Sequence, residues 1–282
     1  MEWVTLPVMM RLPVIAIILL GSLCDVHLLR AAEELGPSHP FAGGNTEISG
    51  RDAQRASKAI RKWSQRNAWP GEGEAEAEAA PWFWDYSKVG QRVFIRIIKG
   101  SNYKGTLELW LKGDHSARYT LFKTYRIAYF SGEPGPKTKR GDNQAPEGFY
   151  FIGRRAMNPL STFHLSMDMG YPNAYDRHYG RTGDLLMIHG NAVSIGCFAM
   201  TDLSIEQIYT LVDAALRNGQ PFVRVHSFPF EMSEENLEDH KDSVHYPFWK
   251  NLKEGWDWFE EKGVPPNVTV EDGLYRFGSS SD

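Results

Sequence analysis

The chain has 282 residues, 42% of them hydrophobic, which is enough for one full domain with appendages and a real buried core. Its 31 basic and 35 acidic residues leave a formal charge of -4, so no global basic surface marks nucleic acid as a partner. Of its two cysteines, Cys24 lies in an apolar N-terminal stretch and Cys197 stands alone beyond it.

Leu12 to Leu23 is almost wholly apolar and follows Arg11, but Asp25 and His27 cut it short of the roughly 20 residues that a spanning helix needs. Residues 1–32 therefore read as a signal peptide or an N-terminal membrane anchor, and either form implies an exported, periplasmic or envelope protein. Leu23 occupies the position where a lipidated Cys24 needs a small residue, which favours a discarded or buried thiol. Residues 33–80 mix Gly, Pro, Ser, Ala and charge and end in Gly71-Glu72-Gly73-Glu74-Ala75-Glu76-Ala77, a linker composition. Within it Arg55, Lys58, Arg61, Lys62 and Arg66 around Ile60 and Trp63 can form a short basic helix, either solvated on a tether or attached to an anionic surface.

Residues 81–278 carry the folded domain, where β-branched and aromatic alternation is broken by Gly and Asp turns. Strands are predicted over Val93–Ile98, Leu107–Leu111, Tyr119–Ile127 and Gly148–Ile152, with a buried strand Leu185–Ile188 delivering His189 to its end. A helix follows Cys197, with Ser204 and Gln207 as its capping box and Arg217-Asn218-Gly219-Gln220-Pro221 as its stop. Phe222–Val225 returns as a strand. Phe248, Leu252, Trp256 and Phe259 then fall at helical spacing, as in a helix docking on a core.

A retained free thiol in an oxidising compartment calls for a reason, and Cys197 has one nearby. His189 lies eight positions upstream, and the short connecting loop lets its imidazole take the thiol proton and hold it beside a thiolate. Gly196 suits a tight turn, with the N–H groups of Gly196 and Cys197 available to an oxyanion, and Ser194 can orient the loop or the imidazole.

The run His189-Gly190 followed by Ser194-Ile195-Gly196-Cys197-Phe198-Ala199-Met200 resembles the signature of the L,D-transpeptidases with a YkuD-type catalytic domain, and is most similar to the YafK-like branch. Phe130-Ser131-Gly132 with Gly135-Pro136-Lys137, Gly141-Asp142, Pro146-Glu147-Gly148-Phe149-Tyr150, Pro172-Asn173-Ala174-Tyr175-Asp176-Arg177 and Gly219-Gln220-Pro221 carry the resemblance over roughly Val89 to Phe277. It implies a β-rich α+β fold, a sandwich-like catalytic domain with a helix after the cysteine and a C-terminal helix. It also implies action on peptidoglycan stem peptides without metal or cofactor. In such enzymes the cysteine attacks the carbonyl of the third stem residue, commonly diaminopimelate, and an amine resolves the thioester. Cys197 is then the nucleophile, His189 the acid/base, Ser194 and Gly196 the oxyanion loop, and Gly190 a carbonyl that orients His189.

Two departures stand out. Many members carry His at the position of Ile195 and Arg at that of Ala199, and the loop Asn191-Ala192-Val193 is short for the family. The expected stand-in cation is Arg177, with Arg181 second, the alternative being an Asp-Arg pair that braces the loop; Asn173 and Tyr175 beside it and Asn191 in the loop complete the expected substrate-binding set. Lys137, Lys139 and Arg140 lie in a Gly/Pro-rich cationic loop that either receives anionic glycan or stem carboxylates or is simply solvated, the second being the favoured reading. His240 and His245 lack a zinc spacing. Three readings stay open: transfer of the thioester to an amine, its hydrolysis by a murein peptidase or amidase that releases wall-linked proteins, and a non-catalytic wall-binding module.

Overall fold

The computed structural model describes residues 88–100 and 104–279; the expected leader, linker and basic helix lie outside them. The main sheet has five strands in the order β3-β2-β1-β9-β4. They are β1 (Arg92–Ile98), β2 (Thr106–Lys112), β3 (Thr120–Arg126), β4 (Gly148–Gly153) and β9 (Phe222–Phe228). The near-continuous apolar run of β1 follows from its central place, because both its faces are covered. Val93, Ile95 and Ile97 enter one core, while Phe94 meets Phe259 and Arg96 meets Trp256 on the other face. β1 pairs antiparallel with β2 and parallel with β9, so the chain makes a long excursion between them, and that excursion carries the site.

A second sheet of four short strands runs β5 (Met157–Asn158), β6 (Ser166–Asp168), β7 (Met187–His189) and β8 (Phe198–Ala199). It packs against the first through Met167, Ile188 and Phe198, and a bridge between Tyr129 and Ala199 ties β8 to the chain leaving β3. Helix α1 (Ala174–His178) precedes β7, and α2 (Asp202–Arg217) follows β8 with Ile205, Ile208 and Val212 in the same core. Helix α3 (Glu234–Asp239), α4 (Tyr246–Lys262) and a hairpin of β10 (Asn267–Glu271) and β11 (Leu274–Gly278) cover the other face of the main sheet. There Phe149, Phe228, Trp249, Trp256 and Tyr275 form an aromatic core, and each Phe-sized side chain so buried contributes about 1.5–3 kcal/mol. Gly255 makes the approach of α4 possible, since a Cβ there would lie 2.5 Å from the rings of Phe149 and Phe277. Among the described residues no helix is long and apolar enough to cross a membrane.

The fold is α+β, with mixed sheets and few helices, as the sequence implies. Two local readings change. The cap of α2 is Thr201, whose side chain accepts from the Ser204 N–H, so Ser204 is a recipient of capping and not its source. Leu185 is not in the buried strand: its φ of +57° and 46% exposure turn it outward, and β7 starts at Met187.

Candidate active site

β7 and β8 run parallel with Ile188 beside Phe198 and His189 beside Ala199, and that register continued backward sets Cys197 beside Met187. The Met187 N–H points at Cys197 Sγ at 3.4 Å, and the thiol in turn reaches the Leu185 carbonyl at 3.5 Å. On the other side of β7, β6 pairs Asp168 with Met187 and Ser166 with His189. Two rows therefore cross the small sheet, Asp168–Met187–Cys197 and Ser166–His189–Ala199, with the side chains of each row on one face.

His189 is buried and its Nδ1–H donates to the Gly190 carbonyl at 2.5 Å. A carbonyl only accepts, so this contact places the ring proton on Nδ1 and leaves Nε2 as the basic nitrogen. Phe163 lies 4.7 Å from the imidazole, centroid to centroid. Crowding requires glycine at 190: a Cβ would sit 2.7 Å from the Phe163 carbonyl and 2.9 Å from Asp202 Oδ1.

The turn before the thiol is braced by Ser194, whose Oγ donates to the Cys197 carbonyl at 2.7 Å and accepts from the Gly196 N–H at 3.1 Å. This differs from the expected oxyanion pair. The Gly196 N–H is already used, and neither of these bonds uses the N–H of Cys197. Gly196 has φ +135° and passes so near Gln144 that a Cβ would lie 3.3 Å from its carbonyl. Val193 and Ile195 are 56% and 81% exposed, which leaves the loop open to solvent.

Burial pushes the Cys197 thiol up, against the Met187 N–H; the charge of Asp168 adds to the rise and that of Lys137 opposes it. Burial pushes His189 down, against its contact with Gly190. Both shifts favour the neutral forms, and no hydrogen bond joins the two side chains among the described residues. The common cause is desolvation of both groups, neither of which has the other's charge for company.

The expected substrate-binding residues are not gathered at the thiol by any contact. Asn173 caps α1 through the Asp176 N–H and donates to the Phe149 carbonyl and to Tyr275 Oη. Tyr175 is buried and stacked on Tyr275, 4.4 Å between centroids. Arg177 is exposed and donates to the Pro172 carbonyl, while Arg181 pairs with buried Asp176 at 2.8 Å. The reason is that α1 packs against the C-terminal hairpin and α4, so its polar groups brace that junction. Asn191 does lie in the catalytic loop, exposed at φ +64°, with its N–H on Asp202 Oδ1 and its Oδ1 on the Ala192 N–H.

The cation whose charge reaches Cys197 is Lys137, from the loop read as solvated. Lys139 and Arg140 are exposed, but Lys137 is 4% exposed and pairs with Asp142 at 2.5 Å. This loop is anchored by Lys99, fully buried, which pairs with Glu147 at 2.8 Å and donates to the carbonyls of Glu133, Gly135 and Ala145. Glu147 also accepts from the Gly135 N–H and from Trp249. Sequence reasoning missed Lys99, Phe163, Ser166 and Asp168. The alternation Ser166-Met167-Asp168 is the one signal for a strand that shows polar groups to His189 and the thiol. Ser166 Oγ is buried opposite His189 with no hydrogen-bond partner among the described residues.

Residues 106–260 match the L,D-transpeptidase catalytic domain, YkuD. The "Putative L,D-transpeptidase YafK" of Escherichia coli strain K12 is 43% identical over 187 residues, covering 66% of this chain and 74% of that protein. The protein of the same description from Escherichia coli O157:H7 gives the same figures, 43% over 187 residues. Among solved structures, the helical cell shape determining protein Pgp2 from Campylobacter jejuni is similar over 66% of this chain and 77% of its own, with 16% identity and a TM-score of 0.39.

Proposed function

The chain belongs to the family of L,D-transpeptidase catalytic domains, YkuD, and from that premise we propose that it is a cysteine acyltransferase acting on peptidoglycan stem peptides. Cys197 is the nucleophile and His189 the acid/base. Nε2 takes the thiol proton as Sγ bonds to the carbonyl carbon of the third stem residue, and the carbonyl oxygen becomes the oxyanion that the Cys197 N–H receives. The C–N bond then breaks, the imidazolium returns its proton to the leaving amine, and a thioester remains. An acceptor amine attacks that thioester, gives its proton to Nε2 and releases the thiolate for reprotonation.

The observation that carries this reading is the pairing of β7 with β8, which brings the thiol beside Met187 on the strand that carries His189 two residues on, its Nδ1 against the Gly190 carbonyl. Ser194 and Gly196 shape the turn, and Gly190 orients the imidazole. Hydrolysis of the same thioester is the second reading, favoured by the short and exposed 191–195 loop. Under either reading residues 1–32 export or anchor the protein, 33–80 are a linker, 81–278 hold the catalytic domain, and the site of action is the cell envelope, with wall-linked proteins as further partners.

The test is to incubate the protein and its Cys197→Ala variant with defined muropeptides, with and without an acceptor amine, and to follow products by mass spectrometry. Cross-linked or exchanged peptides made only with Cys197 present support transfer. Shortened peptides that ignore the acceptor support hydrolysis. Products that do not depend on Cys197 sink the assignment.

A further inference from the structure

Two charged groups act on the thiol through space, Lys137 and Asp168. Lys137 is matched by Asp142. Asp168 has no cation among the described residues, and its carboxylate receives one hydrogen bond, from the Gly170 N–H at 2.7 Å. Its place is fixed by the strand register: it stands across β6 and β7 from Met187, whose own N–H meets Cys197 Sγ at 3.4 Å. It is half-buried, so one edge faces solvent in the same row as the nucleophile.

An unmatched carboxylate in that position works against the chemistry, because a thiol must become anionic to attack and a neighbouring negative charge opposes this. A partly buried charge without a partner also costs folding stability. Both costs vanish when a cation arrives with the substrate. We propose that Asp168 receives an ammonium group of the acyl donor, so that it selects donors with a free amine near the scissile carbonyl and hands the thiolate a neighbouring positive charge once the donor is bound. This deepens the transpeptidase reading and rests on it. Such a donor is the diamino acid residue already expected at the attacked position, and Asp168 is the group that holds its unacylated side-chain amine. Asp168 is here a specificity-determining residue that binds the donor and acts on the thiol through the donor's charge.

The burial-raised Asp168 carboxyl, pushed further up by Asp184, agrees with a site short of positive charge, as does its upward push on the thiol against Lys137. A structural role alone would call for a cation or several N–H donors from the protein, as Asp142 has from Lys137, Thr138, Lys139 and Gln144.

The test compares two donor peptides, one with the side-chain amine free and one with it acetylated, and reads the rate of thioester formation on Cys197 by mass spectrometry. The parent protein is expected to favour the free amine by about tenfold or more, the value of one charge-assisted hydrogen bond, while Asp168→Asn favours it by less than about twofold. In the absence of donor, Asp168→Asn is expected to move the pH profile of Cys197 alkylation downward. Equal acylation of the parent by both donors overturns the role of Asp168, as does a variant that keeps the full preference or the parental alkylation profile. Absence of a Cys197 adduct with either donor overturns the transpeptidase reading itself, and with it this inference.

Discussion

Arg96 and Asp168 are two charges that strands carry inward, and the protein treats them in opposite ways. Arg96, on the face of β1 toward α4, pairs with Glu108 at 2.7 Å and with Glu260, and lies 4.0 Å over the Trp256 ring. Asp168, in the row of the thiol, has one backbone N–H. The aromatic side of the molecule uses its charge to lock α4 onto the sheet, where a saturated ion resists any rearrangement. Unpartnered buried atoms occur on both sides, His226 Nδ1 among the rings and Ser166 Oγ in the small sheet, but Ser166 and the thinly satisfied Asp168 stand in the strand rows of His189 and Cys197. Incomplete satisfaction is what a site needs if the substrate is to supply the missing partners.

If that contrast holds, damage to the two regions separates activity from stability. The largest effect is expected from Cys197→Ala, which lowers acyl transfer by at least about a thousandfold while stability changes by no more than about 0.5 kcal/mol. Product analysis and thermal unfolding check the two halves. Arg96→Met should do the reverse: a loss of about 1–3 kcal/mol in denaturant unfolding, with turnover per folded molecule unchanged. A loss of turnover in that variant would break the comparison.

A third expectation concerns the resting thiol. Burial raises Cys197 and lowers His189, so the imidazole is already neutral in the pH range where the thiol ionises. Alkylation in the absence of donor should therefore rise only above the ordinary thiol range, and His189→Ala should move that midpoint by less than about half a unit, there being no positive charge to lose. A midpoint near neutrality that His189→Ala moves upward would restore the ion pair. The smallest effect belongs to Asp142. Burial pushes this carboxyl up, but Lys137 and the N–H groups of Lys139, Thr138 and Gln144 outweigh it and hold the group below its usual value. Its contribution to the loop is thus complete above the unfolded value of about 3.9 and is lost as pH falls through the lower folded value. Amide exchange at Thr138 and Lys139 should accelerate over that acid window in the parent and be pH-insensitive there in Asp142→Asn, after correction for intrinsic exchange.

Legibility in the sequence followed locality. β1 to β4, the helix after Cys197 and the apolar stripe of α4 all announce themselves by periodicity within a few residues. β5 and β8 have two residues each, and β6 three, too short for any period to register. The α2 cap was misplaced by three residues because Thr201 takes φ +71°, a conformation that a threonine adopts only when its surroundings impose it. Arg177 looked like a free cation in a polar segment, and Lys137 looked solvated. Arg177 turns back to the Pro172 carbonyl on a helix seated against α4 and the C-terminal hairpin, and Lys137 is buried against Asp142 in a loop held by Lys99–Glu147; the helix seat and the loop anchor both involve segments distant in the chain.

The sequence by itself determined the nucleophile and base as candidates, the positions of the main strands along the chain and the family, because these depend on residue identity and short spacing. Only the tertiary structure decided the burial that pushes the thiol up and the imidazole down, the use of the Gly196 N–H, and which charges act on the thiol. Those are sums over groups from β6, β7 and the 133–147 loop, and burial and through-space charge have no period along a chain.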